Sequence, residues 1–564
     1  MTNSDIIDSL ELTAKLLELH DSDDFLIKTY NNAAFNLDKF TGEIANLSFS
    51  DLNQIQGVGK MMATKILEMV KVGASKELDE LLSKTPEGVL QMFKIKGIGA
   101  KKIKIIWKEL GIDNLNDLQI ACENGSIAKI KGFGEKTQAS ILESLIFVQS
   151  QAGKLRMDKA EVLANIILEE LKREFQSIEI TGQITRKSET VDSIQFIAPF
   201  LKTPRQTIEN QLFTKYQADS SPFIWRGKFA DNQINVEVIQ VSENQFVNKK
   251  FLYSAAENHL KQRNQNGQTL MALASTSVFN DETQIYEKFG SPYILPEMRE
   301  GWGEFEWVKN HQNEELVTWD SLKGILHNHS TYSDGRHTLE QMVNHCRELG
   351  FEYFGIADHS QSAAYANGLL TSRVYQQHEE IDKINNKFKE LGINFKVLKG
   401  IESDILGDGS LDYPDEVLST FDYVVASVHS NLNMNITKAT DRLLRAIENP
   451  YTTILGHPTG RLLLSRQGYP IDYKTIIDAC SEKNVVIEIN ASPYRLDLDW
   501  RWIQYCIEKN VMLSINPDAH EMDGFLDMHY GVAVARKGGL TTKMTFNALS
   551  LSEIDNYLAK KHPK

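Results

Sequence analysis

Apolar and polar residues follow two different periods along this chain, and the change of period separates an N-terminal from a C-terminal region. Between residues 3 and 20, and again from Phe25 to Ala34, apolar side chains recur every three or four positions, which predicts two amphipathic helices. After Gly324, short apolar runs alternate with helical segments. That alternation is typical of parallel strands connected by helices, so we expect the two regions to have different folds.

A short glycine element occurs three times in the N-terminal region, at residues 55–59, 95–99 and 130–134. Each copy reads apolar-x-Gly-apolar-Gly and precedes a helical segment. The two glycines let the backbone turn tightly and approach a ligand closely, and the N–H groups that begin the next helix can bind a phosphate. Lysines, Lys96 among them, concentrate at the same places. The element resembles the helix-hairpin-helix motif, which holds the DNA backbone without reading its sequence.

Three copies of this element favour a DNA-binding surface over the alternative of three ordinary bends whose lysines are merely exposed to solvent. Basic contacts to phosphate carry most non-specific DNA binding, which supports this interpretation. The residues expected to contact DNA are Gly57, Gly59, Lys60, Lys65, Gly97, Gly99, Lys101, Lys102, Gly132, Gly134 and Lys136.

The C-terminal region concentrates the residues that bind metals, because only three of the 14 histidines precede residue 320. His327 and His329 follow an apolar run at a spacing of two, so in a strand they would face the same side. Asp334 lies in the Ser-Asp-Gly turn that follows. Later apolar runs also end in histidine, aspartate or glutamate, and in a parallel β/α barrel the C-terminal strand ends build the active site.

The pattern of these residues resembles the PHP phosphoesterase domain, named for polymerase and histidinol phosphatase. The resemblance covers His-x-His, the Ser-Asp-Gly turn, Asp-His-Ser, an isolated glutamate, two isolated histidines and a closing Asp-x-His. It implies a distorted (β/α)7 barrel with three divalent metal ions at the strand ends, and mixed imidazole and carboxylate ligands favour Zn²⁺, Mn²⁺ or Fe²⁺. The metal ligands that the resemblance implies are His327, His329, Asp334, His359, Glu402, His429, His457, Asp518 and His520.

Within this set, we expect His327, His329, Glu402 and Asp518 to take part in catalysis, with Glu402 as the bridge between ions. Arg461 is the candidate phosphate clamp, because its planar guanidinium suits a phosphate, and a structural salt bridge is the alternative. Five other histidines fit no strand end and are expected at the surface: His337, His345, His378, His529 and His562.

Residues 151–318 resemble the palm and thumb of family X DNA polymerases, the β-like gap-filling group. In that family, Gly-Ser, Arg-Arg and Asp-x-Asp are followed by a third aspartate on the neighbouring strand, and the three carboxylates bind two Mg²⁺ ions. In this sequence Gln183 follows the glycine, and the Asp-x-Asp positions hold Ser193 and Gln195. Asp192 lies one residue out of register, and Glu237 takes the third position. Polymerase activity is therefore expected to be lost.

Bacterial family X polymerases often carry a C-terminal PHP domain, so the two resemblances support each other. Lys65 matches the lysine that some members use as a lyase on abasic ends, although a phosphate contact is the favoured role. The chain of 564 residues is too long for one core. The expected domains are an α-helical DNA-binding domain with the first helix-hairpin-helix (1–82), a fingers-like domain with two more (83–150), a degenerate α+β nucleotidyltransferase-like palm (151–242), a thumb-like region (243–318) and the PHP domain (321–564).

Composition adds limits to this interpretation. A net charge of −15 argues against a protein that coats nucleic acid over its whole surface, although it leaves room for a local basic face. The four cysteines show no Cys-x-x-Cys spacing, which fits a reducing compartment. The sequence shows no secretory signal and no membrane-spanning run, so a cytoplasmic protein is expected.

These observations predict a DNA-binding, metal-dependent phosphodiesterase of DNA repair, namely a 3′→5′ exonuclease, with activity at abasic sites or blocked 3′ ends as a variant. Its substrates would be gapped, nicked or 3′-ended DNA, its polymerase core would be inactive, and dNTP binding is not expected. One alternative is an active gap-filling polymerase with a PHP exonuclease. The others are a non-catalytic DNA-repair scaffold and a small-molecule phosphatase, which would leave the three glycine elements unexplained.

Overall fold

The computed structural model describes residues 1–40, 42–95, 97–205, 207–230, 232 and 234–561. Lys96 and His562 therefore lie outside the described residues. The chain separates into two compact units, Met1–Ala152 and Gly153–Lys564. None of the described helices is both long enough and apolar enough to cross a membrane.

The first unit is built from helices, and its core is a single apolar cluster that includes Ile6, Tyr30 and Met62. The two helices predicted at its start are confirmed, and each begins at a side-chain cap, Thr2 for the first and Asp23 for the second. Its helices are α1 (Asn3–Leu19), α2 (Asp24–Asp38), α3 (Phe49–Gln54), α4 (Lys60–Val72), α5 (Lys76–Ser83), α6 (Glu87–Met92), α7 (Ala100–Lys104), α8 (Leu115–Glu123) and α9 (Gly134–Gln151).

The second unit begins with a mixed sheet and a helix that covers it. Within this sheet the strand order is β2-β4-β7-β6-β5, and β4 and β7 are parallel. Apolar residues of α10, such as Ala164, pack with Ile194 and Val236 of the sheet. The elements are β1 (Leu155–Arg156), α10 (Met157–Leu171), β2 (Glu179–Thr181), β3 (Thr190–Val191), β4 (Ser193–Phe200), β5 (Phe213–Lys215), β6 (Ile224–Phe229) and β7 (Asn235–Ser242).

A helical segment follows the sheet and has a small core of its own, which includes Phe251, Leu273 and Tyr286. The guanidinium of Arg299 is fully buried in it and donates to Glu282 and to the hydroxyl of Tyr293. The helices are α11 (Phe246–Tyr253), α12 (Glu257–Leu260), α13 (Leu270–Thr276), α14 (Glu282–Phe289) and α15 (Glu304–Asn310).

The last part of the second unit alternates strands and helices. Its elements are β8 (Gly324–Ile325), α16 (Leu339–Glu348), β9 (Tyr353–Gly355), α17 (Thr371–Glu390), β10 (Lys396–Leu398), β11 (Gly400–Asp404), α18 (Asp415–Leu418), β12 (Tyr423–Ser427), α19 (Ile436–Glu448), β13 (Ile454–Leu455), α20 (Tyr473–Lys483), β14 (Val486–Asn490), α21 (Ile503–Glu508), β15 (Leu513–Asn516), α22 (Met528–Lys537) and α23 (Leu551–Lys561).

All described strand pairs in this part are parallel, in the orders β8-β9-β10 and β11-β12-β13-β14-β15. A parallel bridge joins His359 to Glu402, and another joins Asn328 to Ala519. The first and last strands are therefore linked beyond their C-terminal ends. Every residue of β11, β12, β14 and β15 is buried, as expected for strands with helices on one side and packed side chains on the other.

Three charged side chains from different parts of the second unit meet below its surface. The ammonium of Lys537 lies 2.5 Å from Oε1 of Glu300 and donates to the backbone oxygen of Arg186 at 2.8 Å. The guanidinium Nε of Arg186 also donates to Glu300, at 3.1 Å. The side chain of Lys537 is only 1% exposed, so its charge depends on this carboxylate.

We predict that Glu300→Gln destabilises the second unit by about 3 kcal/mol, because it leaves a buried ammonium without its counter-charge. The measurement is the midpoint of urea-induced unfolding, followed by tryptophan fluorescence. The matched control is Glu306→Gln, which removes a carboxylate from an exposed pair with Lys309 and is expected to leave the midpoint unchanged. Equal midpoints for the two variants would contradict the prediction.

Candidate metal centre and DNA-binding surface

Glu402 lies at the centre of the predicted ligand cluster. It occupies the middle of β11 and is fully buried. The Oε2 atom of Glu402 lies 3.0 Å from Nδ1 of His359. Three further histidines direct Nε2 at its Oε1 atom from 3.0 to 3.2 Å, namely His327, His429 and His457.

Two aspartates extend the cluster. Oδ1 of Asp518 lies 3.0 Å from Nε2 of His329, and Oδ1 of Asp334 lies 3.4 Å from Nε2 of His520. All nine predicted side chains are thus brought together. Three groups within the cluster hold ligand atoms within 4.8 Å of one another: His329, Asp334, His359 and His520; His327, His329, Glu402 and Asp518; His359, Glu402 and His429.

Several buried ligand-type atoms in the cluster lie near one another but make no contact with hydrogen-bond geometry to any residue that the structure describes. They are Nε2 of His327, Nδ1 of His329, Nδ1 of His359, Oε2 of Glu402 and Nδ1 of His457. An unsatisfied buried polar atom costs about 1–3 kcal/mol, and buried native groups rarely remain unpaired. These convergent nitrogen and oxygen atoms therefore fit divalent cations.

The charges of the cluster are strongly coupled. Burial alone would lower the pKa of His429, but Glu402 and Asp404 outweigh burial and raise this pKa to about 10. Despite its own burial, the pKa of Glu402 is held well below its usual range by the neighbouring histidines, His429 first. Burial, and after it the charge of His520, lowers the pKa of His329 to about 3. Without a cation, the cluster therefore holds an anionic Glu402, a neutral His329 and a protonated His429. Since only carboxylates and neutral imidazoles bind cations, His429 would release its proton when a cation binds.

Two carboxylates that the sequence analysis did not assign orient the histidines. Oε2 of Glu488 lies 2.6 Å from Nδ1 of His327, and Oδ1 of Asp404 lies 2.6 Å from Nδ1 of His429. Each contact fixes one ring nitrogen and leaves Nε2 facing Glu402, an arrangement common around metal-binding histidines. The sequence could have indicated Glu488, because a glutamate inside an otherwise apolar strand is rarely buried without a partner.

The chain does not reach the cluster as the sequence suggested. His327 and His329 lie beyond β8, which ends at Ile325, so the prediction that they share one face of a strand is wrong. The backbone has positive φ at His327 (59°) and at Asp518 (53°). Such conformations are strained for residues other than glycine and concentrate at functional sites. Asp358, the aspartate of the Asp-His-Ser motif, is not one of the nine predicted ligands, and its carboxylate accepts hydrogen bonds from Ser330.

Arg461 does not have the free guanidinium that a phosphate clamp needs. Its Nη1 donates to Asp499 at 2.9 Å, and its other nitrogens donate to the backbone oxygens of Arg495 and Leu496. This matches the salt-bridge alternative, and the clamp prediction is corrected. The arginine beside the cluster is Arg495, whose Nε lies 3.6 Å from Oδ2 of Asp518 and whose side chain is 20% exposed.

His378 corrects a second expectation, because this histidine is buried rather than at the surface, with only 7% of the residue exposed. Its ring centroid lies 5.0 Å from that of Phe421, edge to face. The apolar side chains of α17, such as Ile381, lie in the same buried core as Phe421. His378 is therefore a core residue of this helix.

The two carboxylates near the polymerase-like metal positions, Glu237 and Asp192, accept hydrogen bonds from neighbouring side chains. Gln195 lies opposite Glu237 in the register of β4 and β7, and its amide donates to Oε2 of Glu237 at 2.7 Å. Nε of Arg226 donates to the other oxygen, also at 2.7 Å. Asp192 accepts from the amide of Gln183 at 2.9 Å. Both remaining carboxylates are thus neutralised or hydrogen-bonded within the protein.

The glycine elements form exposed turns before α4, α7 and α9. The first glycine of each copy has positive φ, 81° at Gly57, 90° at Gly97 and 93° at Gly132, which explains glycine there. Gly59 and Gly99 have ordinary negative φ, and a Cβ added at either would meet nothing within 4 Å. The fold itself does not require glycine at these two positions, whereas a closely approaching ligand would. The third copy differs, since α9 begins at Gly134 with positive φ.

The lysines near these turns fall into two classes. The ammonium of Lys65 donates to Tyr30 at 2.7 Å and pairs with Glu77, and that of Lys102 donates to the backbone oxygen of Gly97 at 3.1 Å. These two lysines have partners inside the protein. The exposed lysines of the set are Lys60, Lys101 and Lys136.

Comparisons with known proteins match three stretches of the chain. The model of a helix-hairpin-helix domain matches residues 1–75, that of a SAM-like helix-hairpin-helix tandem matches residues 89–145, and that of the PHP domain matches residues 326–492. The PHP match contains seven of the nine clustered side chains and ends before Asp518 and His520.

Named relatives agree with these matches. A protein of Bacillus subtilis (strain 168) named DNA polymerase/3′-5′ exonuclease PolX is 33% identical over 99% of this chain and 100% of its own length. A probable phosphatase of Clostridium acetobutylicum is 31% identical over 29% of this chain and 63% of the phosphatase. Another, of Caldanaerobacter subterraneus subsp. tengcongensis, is 35% identical over 18% of this chain and 38% of that protein. The match to the Bacillus protein over both whole lengths shows that this chain belongs to the PolX family, the family X DNA polymerases with a C-terminal PHP domain.

Proposed function

We propose that this protein is a DNA-binding, metal-dependent phosphodiesterase of DNA repair that shortens DNA strands from their 3′ ends. The observation that carries the proposal is the convergence of nine histidine, aspartate and glutamate side chains, several with unpartnered ligand atoms. The name of the Bacillus relative includes a 3′-5′ exonuclease, and the phosphatases align with the histidine-rich region, which supports phosphoester hydrolysis. Processing of abasic sites or blocked 3′ ends would use the same chemistry.

The proposed cofactors are three divalent cations, one for each group of ligand atoms that converge within the cluster. Mixed imidazole and carboxylate ligands favour Zn²⁺, Mn²⁺ or Fe²⁺. Eight of the nine predicted residues belong to these groups, and His329, His359 and Glu402 belong to two each. His457 would complete the set through its Nε2, which lies 3.0 Å from Oε1 of Glu402. Glu402 is the carboxylate that we propose is shared. When bound, such cations polarise a phosphodiester and lower the pKa of water to about 7.

The protein's own groups would hold and orient the substrate. His327, His329 and Glu402 are fully buried, and the side chain of Asp518 is 9% exposed. Electrostatic interactions are strong in such a sheltered site. Arg495 takes the phosphate-binding role first assigned to Arg461, because its guanidinium borders Asp518 and remains partly exposed. A planar guanidinium can bind two phosphate oxygens at once.

The palm is proposed to be an inactive scaffold, as predicted from its sequence. Two-metal nucleotidyl transfer needs three free carboxylates, whereas Glu237 is held by Arg226 and Gln195. Arg186, near the family's Arg-Arg position, is itself held in the buried contact with Glu300. The groups that would serve dNTP binding thus support the structure instead. The competing proposal, an active gap-filling polymerase, draws on the name of the Bacillus relative.

The N-terminal unit is proposed to bind the DNA backbone through its glycine turns. The turn at Gly59 supports this, because α4 begins there without a side-chain cap and leaves its first N–H groups for a ligand. The exposed lysines of the set, Lys60, Lys101 and Lys136, would add phosphate contacts. Lys65 would contribute less, since Glu77 already neutralises its charge. The cytoplasmic location expected from the sequence stays a prediction and is consistent with action on DNA.

The domain boundaries remain those predicted: 1–82, 83–150, 151–242, 243–318 and 321–564. The main apolar cores change after residue 241 and again after Leu316, which supports two of these boundaries. A small cluster crosses the first of them, since Phe246 and Tyr253 pack against Ile197 and Ile239. We propose that the last domain is a distorted (β/α)7 barrel, supported by its parallel strands and by the bridge between Asn328 and Ala519. In such a barrel the C-terminal strand ends form the active site.

We predict that Glu402→Gln lowers exonuclease activity by at least about 100-fold, which corresponds to about 2.7 kcal/mol of transition-state stabilisation. The assay follows shortening of 5′-labelled gapped DNA with Mn²⁺ and without dNTPs. His327→Ala combined with His329→Ala should have the same effect, and metal content measured by mass spectrometry should fall in parallel. Glu390→Gln, on the exposed end of α17, is the matched control. Undiminished shortening by the Glu402 variant would refute the proposal, and loss of phosphate only from small monoesters would favour the phosphatase.

We predict that the palm does not synthesise DNA, because its remaining carboxylates already have protein partners. The test uses the Glu402→Gln variant, so that degradation cannot mask extension, with a labelled primer on gapped template, all four dNTPs, and Mg²⁺ or Mn²⁺. No template-dependent lengthening is expected. Lengthening that disappears on Glu237→Gln would establish the gap-filling polymerase instead.

We predict that replacing Lys60, Lys101 and Lys136 together with alanine weakens binding to duplex DNA and flattens its salt dependence. Each lost phosphate contact reduces the slope of log K against log salt by about 0.9, so three contacts reduce it by about 2.7. Fluorescence anisotropy in EDTA measures binding without cleavage. Lys15→Ala, in an exposed pair with Glu11, is the control, and an unchanged slope in the triple variant would place the DNA contacts elsewhere.

A further inference from the structure

A tyrosine that no ligand set includes lies at the edge of the metal cluster. Tyr365 belongs to the short turn Ala364–Ala366 after β9 and is 71% exposed. Its ring centroid lies 6.1 Å from that of His359. Several other large apolar side chains of this chain are also exposed, so the feature of interest is the position of this ring beside the ligand cluster and not its exposure alone.

The loop that carries Tyr365 is held in place by hydrogen bonds on both sides. Ser362 donates its backbone N–H to Asp412 at 2.7 Å and its hydroxyl to Asp404 at 3.0 Å. On the other side, the amide of Asn367 donates to the backbone oxygen of Ser333 at 3.2 Å. The tyrosine is therefore presented by a fixed loop, and little conformational entropy would be lost when a ligand contacts it.

The ring of Tyr365 borders the cluster through His359. Nδ1 of His359 lies 3.0 Å from Oε2 of Glu402, and its Nε2 lies 3.7 Å from Oδ2 of Asp334. The high exposure of Tyr365 leaves ring surface open to solvent. A nucleotide whose phosphate is bound at the cluster would therefore have its base within reach of this ring.

We propose that Tyr365 stacks on the unpaired terminal nucleobase of the strand whose phosphate is bound at the cluster. This inference rests on the proposed exonuclease function and names its recognition element. Base–aromatic stacking is tolerant of sequence, because every base has a flat face. It also requires an unpaired base, so the site would select frayed or single-stranded ends over small phosphoesters. Tyr365 is in this view a positioning residue for the substrate.

The test compares two 5′-labelled single-stranded oligonucleotides, one with a normal 3′-terminal nucleotide and one whose terminal nucleotide lacks its base. Tyr365→Ala is expected to lower kcat/KM for the normal strand by about 5- to 150-fold, since stacking contributes about 1–3 kcal/mol per base. The loss should appear in KM rather than in kcat. For the abasic strand, the variant and the unmodified protein should be equal.

Two controls separate stacking from other roles. Tyr365→Phe keeps the ring and is expected to retain activity on the normal strand. If it loses as much activity as Tyr365→Ala, the hydroxyl is the operative group and stacking is refuted. Tyr375→Ala removes another exposed tyrosine, which lies on α17 and is 45% exposed. This variant should leave kcat/KM unchanged for both oligonucleotides.

A binding measurement gives a readout that does not depend on turnover. A 3′-terminal 2-aminopurine, joined through a phosphorothioate that slows hydrolysis, should lose fluorescence on binding the unmodified protein and lose less with Tyr365→Ala. Equal quenching would overturn the inference. If the unmodified protein degrades neither strand, the proposed function itself fails. If it degrades both and Tyr365→Ala behaves identically, only the role of Tyr365 fails.

Discussion

The structure of the C-terminal region depends on one carboxylate, Glu402, which is buried among histidines. Burying an ionised carboxylate is strongly unfavourable unless opposite charges or hydrogen bonds compensate for it. Four histidine nitrogens lie within 3.2 Å of its two oxygens, and the carboxylates of Glu488 and Asp404 in turn fix two of these histidines. The strands and loops are therefore constrained to bring these groups to one place, even where the backbone takes strained conformations at His327 and Asp518.

In the polymerase-like region, a carboxylate is instead fully compensated by neighbouring protein groups. There, the carboxylate of Glu237 is fully matched by Arg226 and Gln195, whereas the PHP cluster leaves several ligand atoms without hydrogen-bond partners among the described residues. A matched carboxylate has little to gain from a cation, and an unmatched cluster has much to gain. The carboxylates of the two regions thus differ in how far the protein itself matches them, and this difference underlies the proposed difference in metal binding.

The palm also contributes to the structure around the PHP region. Arg186 and Glu300 enclose the ammonium of Lys537, and Arg461, beyond the loop of His457, lies 3.8 Å from Glu189 of the palm. Removal of the polymerase-like region would therefore leave the buried ammonium of Lys537 without its partners. These contacts join the polymerase-like region to the region of the ligand cluster within the second unit.

The sequence by itself determined the family, the repeated glycine turns and the identity of the nine side chains that meet in the cluster. These features depend on residue types at strand ends and on short spacings, which are local properties of the chain. It also placed Ser193, Gln195 and Glu237 at the positions that carboxylates hold in family X polymerases, whereas the pairing of Gln195 with Glu237 came from the structure.

Only the tertiary structure decided which partner each charged group meets. Arg461 is bound by Asp499, Arg495 is the arginine beside the cluster, and Glu488 orients a histidine 161 positions away. It likewise placed His378 in the core and Tyr365 at the edge of the cluster. The physical reason is that hydrogen bonds and ion pairs act over a few ångströms in space, between residues whose separation along the chain is set by the whole fold.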